Sequence, residues 1–263
     1  MIYLKTAEEL EKMRAACTLV SRTLGEVAKW VAPGVATRRL DDIARQFILD
    51  NGGYPSCLGY HGFPGTLCIE VNEMVVHGFP SDYQLREGDI IGTDCVVTLD
   101  GYHGDMCYTF AVGDVDEKVQ RLLEVTKASL YKGIAAAKAG NRIGHISHAV
   151  QQYCERAGYG VVREMCGHGI GRSMHEKPEV PNYGRNGIGP MLKDGMCICI
   201  EPMINLGSKN IVIEEDGWQC RTRDRKPSAH FEHTIAIKGD HPEVMTTFSY
   251  IESSLGMTSD ESL

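Results

Sequence analysis

Apolar residues recur at helical spacing in two stretches that share one layout, residues 34–52 and 140–158. The apolar positions that correspond are Leu40, Ile43, Ala44 and Phe47 in the first stretch and Ile146, Ala149, Val150 and Tyr153 in the second. This spacing predicts a helix in each stretch. Gly52 and Gly158 stand where a helix commonly ends with a glycine.

The strand-like segments that follow these helices also match between the two halves. The matched segments are residues 61–62 and 168–169, 89–94 and 196–201, and 105–114 and 232–240. Asp94 thus corresponds to Glu201, and Asp105 to Glu232. Matches in the same order predict a duplicated helix–helix–strand–strand unit, approximately 6–114 and 115–240.

Helices and antiparallel strands segregate within each predicted unit, so the expected class is α+β, with strands in a central sheet and helices packed outside. We expect one catalytic domain over residues 1–252 and a polar tail over residues 253–263. Duplicated halves pack about a pseudo-twofold axis, so equivalent acids of the two halves should meet at the centre.

The pair Asp100-Gly101 is a strong signal for a two-residue hairpin turn. A turn there sets the register so that Asp105 lies opposite Val96. Asp94 and Asp105 then lie on one face as diagonal neighbours, within reach of a shared ion.

Four acids stand at equivalent points of the repeat, and His168 lies nearby within Gly167-His-Gly-Ile-Gly171. Carboxylates at the ends of buried strands need a strong reason to stay ionised, and a bound cation supplies one. Four carboxylates and one imidazole carry too much negative charge for one divalent ion, whereas two bridged ions would balance it. The oxygen-rich set suits manganese, iron or cobalt.

Net charge, cysteine placement and the N-terminal sequence indicate the partners and the cellular compartment of this protein. The net charge of -8 over 263 residues disfavours nucleic acid as a specific partner. The ten cysteines include no Cys-x-x-Cys pair and several lie in apolar runs, which favours buried free thiols in a reducing compartment. The start is charged and amphipathic, unlike a signal peptide, and no apolar run is long enough to span a membrane. We therefore expect a cytoplasmic protein.

The ordered motifs together resemble those of type I methionine aminopeptidases, from about residue 3 to residue 250. They are Cys57-Leu-Gly-Tyr-His-Gly62, Asn72-Glu-Met-Val-Val-His-Gly78, Asp94 with Asp105, Gly167-His-Gly-Ile-Gly-Arg172 leading to His175-Glu176, Glu201-Pro-Met203, and Glu232-His-Thr234. The resemblance implies the pita-bread fold that this family shares with prolidases and creatinases. It also implies removal of the initiator methionine from nascent polypeptides, with a preference for a small second residue.

The resemblance implies a role for each ligand. Asp94 would bind one metal, His168 with Glu201 the other, and Asp105 with Glu232 would bridge both. The two divalent ions would be cobalt, manganese, iron or zinc. Glu201 would also be the general base on the metal-bridging water.

Two further histidines match family positions. His77 resembles a residue that contacts the substrate near the scissile bond, and His175 one that polarises the scissile carbonyl and stabilises the oxyanion. The implied lining of the methionine pocket is Cys57, Tyr60, Phe63, Cys68, His77, His175, strand residues beside Phe110, and Trp218. Three residues depart from the family pattern and bear on metal affinity or pocket shape, namely Val96, Phe63 and Met174.

Three alternatives are open. A prolidase or aminopeptidase P would carry a large N-terminal domain, which does not fit before Thr6. A type II methionine aminopeptidase would carry an insertion between His168 and Glu201, where only 32 residues lie. A non-catalytic binding protein of this fold would have lost metal ligands, and all five are present. We expect a monomer that contacts ribosomes transiently. Because no N-terminal zinc finger precedes the domain, this contact would use the surface of the catalytic domain itself.

Overall fold

The computed structural model describes residues 1–257. Its helices are α1 (Ala7–Ala28), α2 (Thr37–Asp50), α3 (Glu117–Ala136), α4 (Ile143–Arg156) and α5 (Ser249–Ser254), with a 3-10 turn over Tyr60–Gly62. In the first half the strands are β1 (Tyr54–Pro55), β2 (Leu67–Val71), β3 (Met74–Val76), β4 (Ile90–Leu99) and β5 (Tyr102–Ala111). In the second half they are β6 (Gly160–Val161), β7 (Gly167–Gly169), β8 (Glu176–Val180), β9 (Cys197–Ile200), β10 (Met203–Asn205), β11 (Ile211–Ile213), β12 (Cys220–Thr222), β13 (Ser228–His230), β14 (His233–Ala236) and β15 (Glu243–Val244).

Local sequence accounts for where the helices begin and end. At the start of α1, Thr6 Oγ1 accepts from the Glu9 amide at 3.3 Å and the Glu9 carboxylate accepts from the Thr6 amide at 2.9 Å. This reciprocal pair satisfies two amides that the helix leaves free. The predicted ends of α2 and α4 are confirmed, since Gly52 and Gly158 follow them with positive φ.

All ladders between these strands are antiparallel, and they form four sheets. One contains β4 with β5 on one edge and β1 and β2 on the other. The largest of the second half has the order β15-β14-β9-β7-β8, and two three-stranded sheets are β13-β10-β6 and β11-β12-β3. The α+β prediction is confirmed.

The halves join at the centre of the molecule. The Glu232 amide donates to the Cys107 carbonyl at 2.9 Å, and the Thr109 hydroxyl donates to the His230 carbonyl at 2.6 Å. These bonds set β5 beside the start of β14. Each half also places a helix pair before its strands, and we propose on this order that residues 6–114 and 115–240 are an internal repeat.

One large core runs through both halves, and α1 packs on β4, β5, α2 and α5. No helix within residues 1–257 is long and apolar enough to cross a membrane. The predicted tail begins at residue 253, but Ser253 and Ser254 belong to α5, whose Ile251 is buried. Residues 258–263 of that predicted tail lie outside the described residues.

Candidate functional site

The hairpin of β4 and β5 carries the two aspartates, as predicted. Asp100 and Gly101 both have positive φ, the conformation of a tight two-residue turn. Val96 pairs with Asp105, which confirms the predicted register. Because side chains alternate along a strand, Asp94 and Asp105 lie on the same face of the sheet.

The second half brings its two glutamates to the same centre. Glu201 directly follows β9 and Glu232 directly precedes β14, and His233 pairs with Ile200 between those strands. The side chain of Asn182 donates to the Glu201 carbonyl at 2.8 Å and fixes the chain there. Both glutamates are therefore held at adjacent strand ends.

His168 lies between the acids of the two halves. Its Nδ1–H donates to the Gly169 carbonyl at 2.9 Å, which leaves the lone pair of Nε2 free. Nε2 lies 3.6 Å from Asp105 Oδ2 and 3.6 Å from Glu201 Oε1. The ring is therefore oriented to act as a metal ligand alongside carboxylate oxygens.

The buried polar atoms at this centre fit bound cations. Asp105, His168, Cys199 and Glu232 offer ligand atoms within 4.8 Å of one another. Asp105 Oδ1 and Glu232 Oε1 are buried without a hydrogen-bond partner among the described residues. Burial raises the pKa of the Cys199 thiol well above its usual range, so the oxygen and nitrogen donors remain the better ligands.

The pKa values of the side chains at this centre also fit bound cations. Burial, and then the neighbouring acids, raise the pKa values of Asp105 and Glu232 well above their usual range. Burial, and then Asp94, raise the pKa of Glu201 to about 8 against the attraction of His230. Burial lowers the pKa of His168 to about 4, so this ring is neutral. Positive charge from divalent ions would let the acids ionise together.

The metal-free protein should lose stability as pH rises. Glu201 has an ordinary pKa of 4.5 and a pKa of about 8 in the folded chain, so the folded state binds the proton more tightly. The contribution of Glu201 to the free energy of unfolding is complete below pH 4.5 and is lost as pH rises through 8. Chelated protein should show a falling melting temperature from about pH 5 to about pH 8.5, and manganese should reduce the fall. A melting temperature that rose over this range without metal would contradict the burial of these acids.

A cavity of about 490 Å³ opens onto the acidic centre, and the predicted site residues line it, except for the strand residues beside Phe110. At its apolar end Cys57, Phe63, Cys68, Val96 and Met174 form one cluster, with Phe79 and Trp218 packed against it. All three residues that depart from the family pattern thus lie in this cluster. The cluster offers an apolar, polarisable wall of sulfur and aromatic groups next to the acids.

Two histidines line the cavity between the apolar end and the acids. His175 Nδ1 lies 3.2 Å from the Tyr60 hydroxyl, and its ring centroid is 4.5 Å from that of His168. His77 packs edge-on against Trp218 at 5.7 Å. Burial lowers the pKa of both His77 and His175, which favours neutral rings.

The backbone around His77 explains its position. His77 has φ of 58°, a left-handed conformation that turns the chain at the end of β3. The next residue must be glycine, because a Cβ on Gly78 would lie 1.9 Å from the Ile69 carbonyl oxygen. The backbones of Ile69 and Gly78 approach each other closely because the Ile69 N–H donates to the Gly78 carbonyl at 2.8 Å.

The strand residues beside Phe110 are not among the lining residues of this cavity, to which β5 contributes Asp105. Strand alternation places Asp105 and Cys107 on the cavity face of β5 and Phe110 on the opposite face. Phe110 instead packs on Tyr108 in the main core, with ring centroids 4.8 Å apart.

Sequence reasoning missed His230, which lines the cavity and pairs with buried Glu70 at 3.1 Å. Burial alone would lower the pKa of His230, but the Glu70 carboxylate outweighs it and raises that pKa to about 10. A signal was present in the sequence, because Glu70 is an acid within the apolar run Leu67-Cys-Ile-Glu-Val71. The reasoning that selected Asp94 applies to it equally.

Comparison with known proteins agrees with this geometry. The model of metallopeptidase family M24 matches residues 11–239. A methionine aminopeptidase of Clostridium perfringens is 48% identical over 246 residues, covering 94% of this chain and 99% of that protein. The crystal structure of methionine aminopeptidase from Rickettsia prowazekii is 44% identical, with a TM-score of 0.93 over 94% of this chain and 100% of that one.

A more distant likeness extends to prolidases. The prolidase structure from Pyrococcus horikoshii has a TM-score of 0.75 at 21% identity, covering 93% of this chain and 63% of that one. At this identity the likeness concerns the fold alone. With the aminopeptidase structures, it confirms the predicted pita-bread fold.

Proposed function

The chain belongs to metallopeptidase family M24, among its methionine aminopeptidases, and we propose that its acidic centre is a two-metal site that hydrolyses the bond after an N-terminal methionine. The observation that carries the proposal is the shared cavity. The four acids and His168 lie at one end, and the cluster of Cys57, Phe63, Cys68, Val96 and Met174 lies at the other.

In this proposal Asp94 would hold one ion and His168 with Glu201 would hold the second, while Asp105 and Glu232 would be shared by the two. The carboxylate atoms that lack partners among residues 1–257 support the bridging roles. Four carboxylates against two divalent ions give charge balance, and the oxygen-rich set suits manganese, iron or cobalt better than a metal that prefers thiolate ligands. When bound, such ions lower the pKa of coordinated water toward about 7 and polarise carbonyl oxygens.

Glu201 serves as the general base that takes a proton from the attacking water. Its pKa of about 8 in the metal-free chain shows how strongly its buried carboxylate holds a proton. Positive charge nearby would lower this value toward neutrality, where a base is most effective. The proton can then pass from Glu201 to the departing amine.

His175 and His77 act on the peptide around the scissile bond. We assign His175 to the scissile carbonyl oxygen, where a ring N–H would stabilise the negative charge that develops. The Tyr60 hydroxyl, 3.2 Å from Nδ1, helps to hold that ring. His77, beside Trp218 at the edge of the apolar cluster, contacts the peptide near the same bond.

The substrates in this proposal are nascent polypeptides with an N-terminal methionine and a small second residue. We also propose a monomer in the cytoplasm with transient ribosome contact and no membrane or direct nucleic-acid partner. The net charge of -8 and the ten free cysteines, nine of them buried, support this setting.

Metal-reconstituted protein should cleave Met-Ala-Ser and should leave Ala-Pro and Leu-Gly peptides essentially intact. The reason is that a thioether fits the apolar, sulfur-rich cluster, whereas alanine leaves most of it unfilled. The measurement is kcat/KM for each peptide under one metal condition. Efficient cleavage of Ala-Pro would favour a prolidase activity. A large fall in kcat/KM when the second residue of the methionine peptide is replaced with a large one would support the small-residue requirement.

A further inference from the structure

A buried pair of side chains, Glu70 and His230, adjoins the acidic centre and has no part in the proposed metal binding. Both residues are at most 3% exposed. His230 Nδ1 lies 3.1 Å from Glu70 Oε1 and 3.2 Å from Oε2, so Nδ1–H donates to this carboxylate. Taking a charged pair of this kind out of water costs free energy that its mutual attraction need not recover, so stability alone does not explain the pair.

The first-half sheet fixes where this pair lies. Cys68 pairs with Asp94, and two residues further Glu70 pairs with Gly92. All four therefore lie on one face, with Glu70 roughly 7 Å along the strand from Cys68. A Cβ on Gly92 would lie 2.3 Å from Glu70 Oε2, so glycine makes room for the acid.

The second ring nitrogen of His230, Nε2, is not used by the contact with Glu70. Nε2 is buried and has no hydrogen-bond partner within residues 1–257, although the ring lines the cavity. A buried polar atom without a partner costs free energy unless something fills its place. Because Glu70 already holds Nδ1, the missing partner must come from the cavity.

We propose that His230 recognises the free α-amino group of the substrate's first residue through a hydrogen bond at Nε2, and that Glu70 is the positioning residue for its ring. This inference rests on the proposed aminopeptidase function. It assigns the specificity for a free N-terminus partly to a side chain.

The arrangement of the cavity favours the α-amino group over other polar groups of the peptide. The first residue's side chain would fill the cluster that contains Cys68, and its α-carbon would then lie near Asp94. His175 and His77 are already assigned to the scissile bond. The α-amino group is the remaining polar group next to that α-carbon, and Glu70, diagonal to Asp94 on the same sheet face, holds the His230 ring next to this position.

The hydrogen bond forms when the two nitrogens hold one proton between them, so a doubly protonated pair must release one proton on binding. An ammonium donates to a neutral Nε2, and a protonated Nε2 donates to a neutral amine. In both cases a single proton lies between the two nitrogens, so the assignment does not depend on which nitrogen holds it. An analogue without the amine loses the bond in both cases.

A third metal ion is the competing occupant, because Cys107 with Glu70 and His230 forms a compact set of ligand types. The existing contacts disfavour it. The Cys107 thiol donates to the His230 carbonyl at 3.6 Å, and the Glu70 oxygens are already bound to Nδ1. Metal content measured on the purified variants separates the two occupants.

The test compares inhibition by L-methionine and by 4-(methylthio)butanoate, which differs only in lacking the α-amino group. In the parent enzyme methionine should have the lower Ki, because only it can make the bond. His230→Leu should reduce the ratio of the two Ki values by about 10-fold to 100-fold, as expected for a hydrogen bond that involves charge. His230→Gln, which keeps donor and acceptor atoms, should retain most of the ratio, and Glu70→Gln should fall between.

His233→Gln is the matched control, because His233 is buried and bonds Thr246 at 2.8 Å away from the cavity. Its Ki ratio should equal that of the parent. Equal weakening of both inhibitors in His230→Leu, with an unchanged ratio, would overturn the inference and leave a structural role. Loss of a third metal equivalent in that variant would also overturn it. A parent enzyme that fails to cleave Met-Ala-Ser would instead refute the proposed function.

Discussion

Removing divalent ions should abolish peptide hydrolysis, and manganese, iron or cobalt should restore it. The buried acids Asp105 and Glu232 cannot ionise together without compensating positive charge, because burial and mutual repulsion raise both pKa values. Without the ions the site also lacks the means to make water reactive at neutral pH. The measurement is Met-Ala-Ser cleavage before chelation, after it, and during titration with each metal.

The stoichiometry of recovery tests the number of ions. Full activity should need two equivalents if Asp105 and Glu232 bridge two ions. The chelated protein should first be shown to be folded, near pH 6, where its protonated acids are tolerated. Hydrolysis that survived exhaustive chelation would refute the two-metal site, and complete recovery at one equivalent would refute the bridging roles.

The hairpin that carries Asp94 and Asp105 shows what local sequence determines. The Asp100-Gly101 turn admits one tight geometry, and a two-residue turn fixes every pair of the ladder behind it. Val96 opposite Asp105 follows from that alone. The proposed repeat extends the same reasoning to Glu201 and Glu232, because equivalent strand ends would share a setting.

The pairing of Glu70 with His230 shows what local sequence leaves out. The two residues are 160 positions apart in different strands, and no turn or period relates β2 to β13. Their contact arises from the way the halves dock around β5. A buried acid in β2 signals that a partner exists, but only the tertiary structure identifies it.

The expected lining beside Phe110 shows a different limit of the sequence. The resemblance pointed to that strand, but it did not fix which face of the strand the residue occupies. Counting from Asp105 by twos places Cys107 and Thr109 on the same face as Asp105 and leaves Phe110 in the core. The period of two was available from the sequence and excludes Phe110 itself, but it does not show how far along β5 the cavity extends.

Replacing Glu201 with glutamine should lower kcat by roughly 10²–10⁴-fold, the usual contribution of a general base. Glutamine keeps the size of the side chain and one oxygen ligand, and the Asn182 bond is to the Glu201 backbone, so the fold should persist. Metal affinity should fall as well, because a neutral amide oxygen is a poorer ligand than a carboxylate. Kinetics at saturating metal separate these two effects. Full recovery of kcat with added metal would assign Glu201 to metal binding alone.

His175→Ala should fail in a different way, with intact metal content and a kcat lower by roughly 10²–10³-fold, as for the loss of an oxyanion donor. His175 contacts the His168 ring and the Tyr60 hydroxyl but stands outside the proposed ligand set. His241→Ala, at an exposed position, is the control and should keep the parent kcat. Metal analysis and steady-state kinetics on all three proteins decide the matter. If His175→Ala lost its metals or kept the parent kcat, this side chain would have no role at the scissile carbonyl.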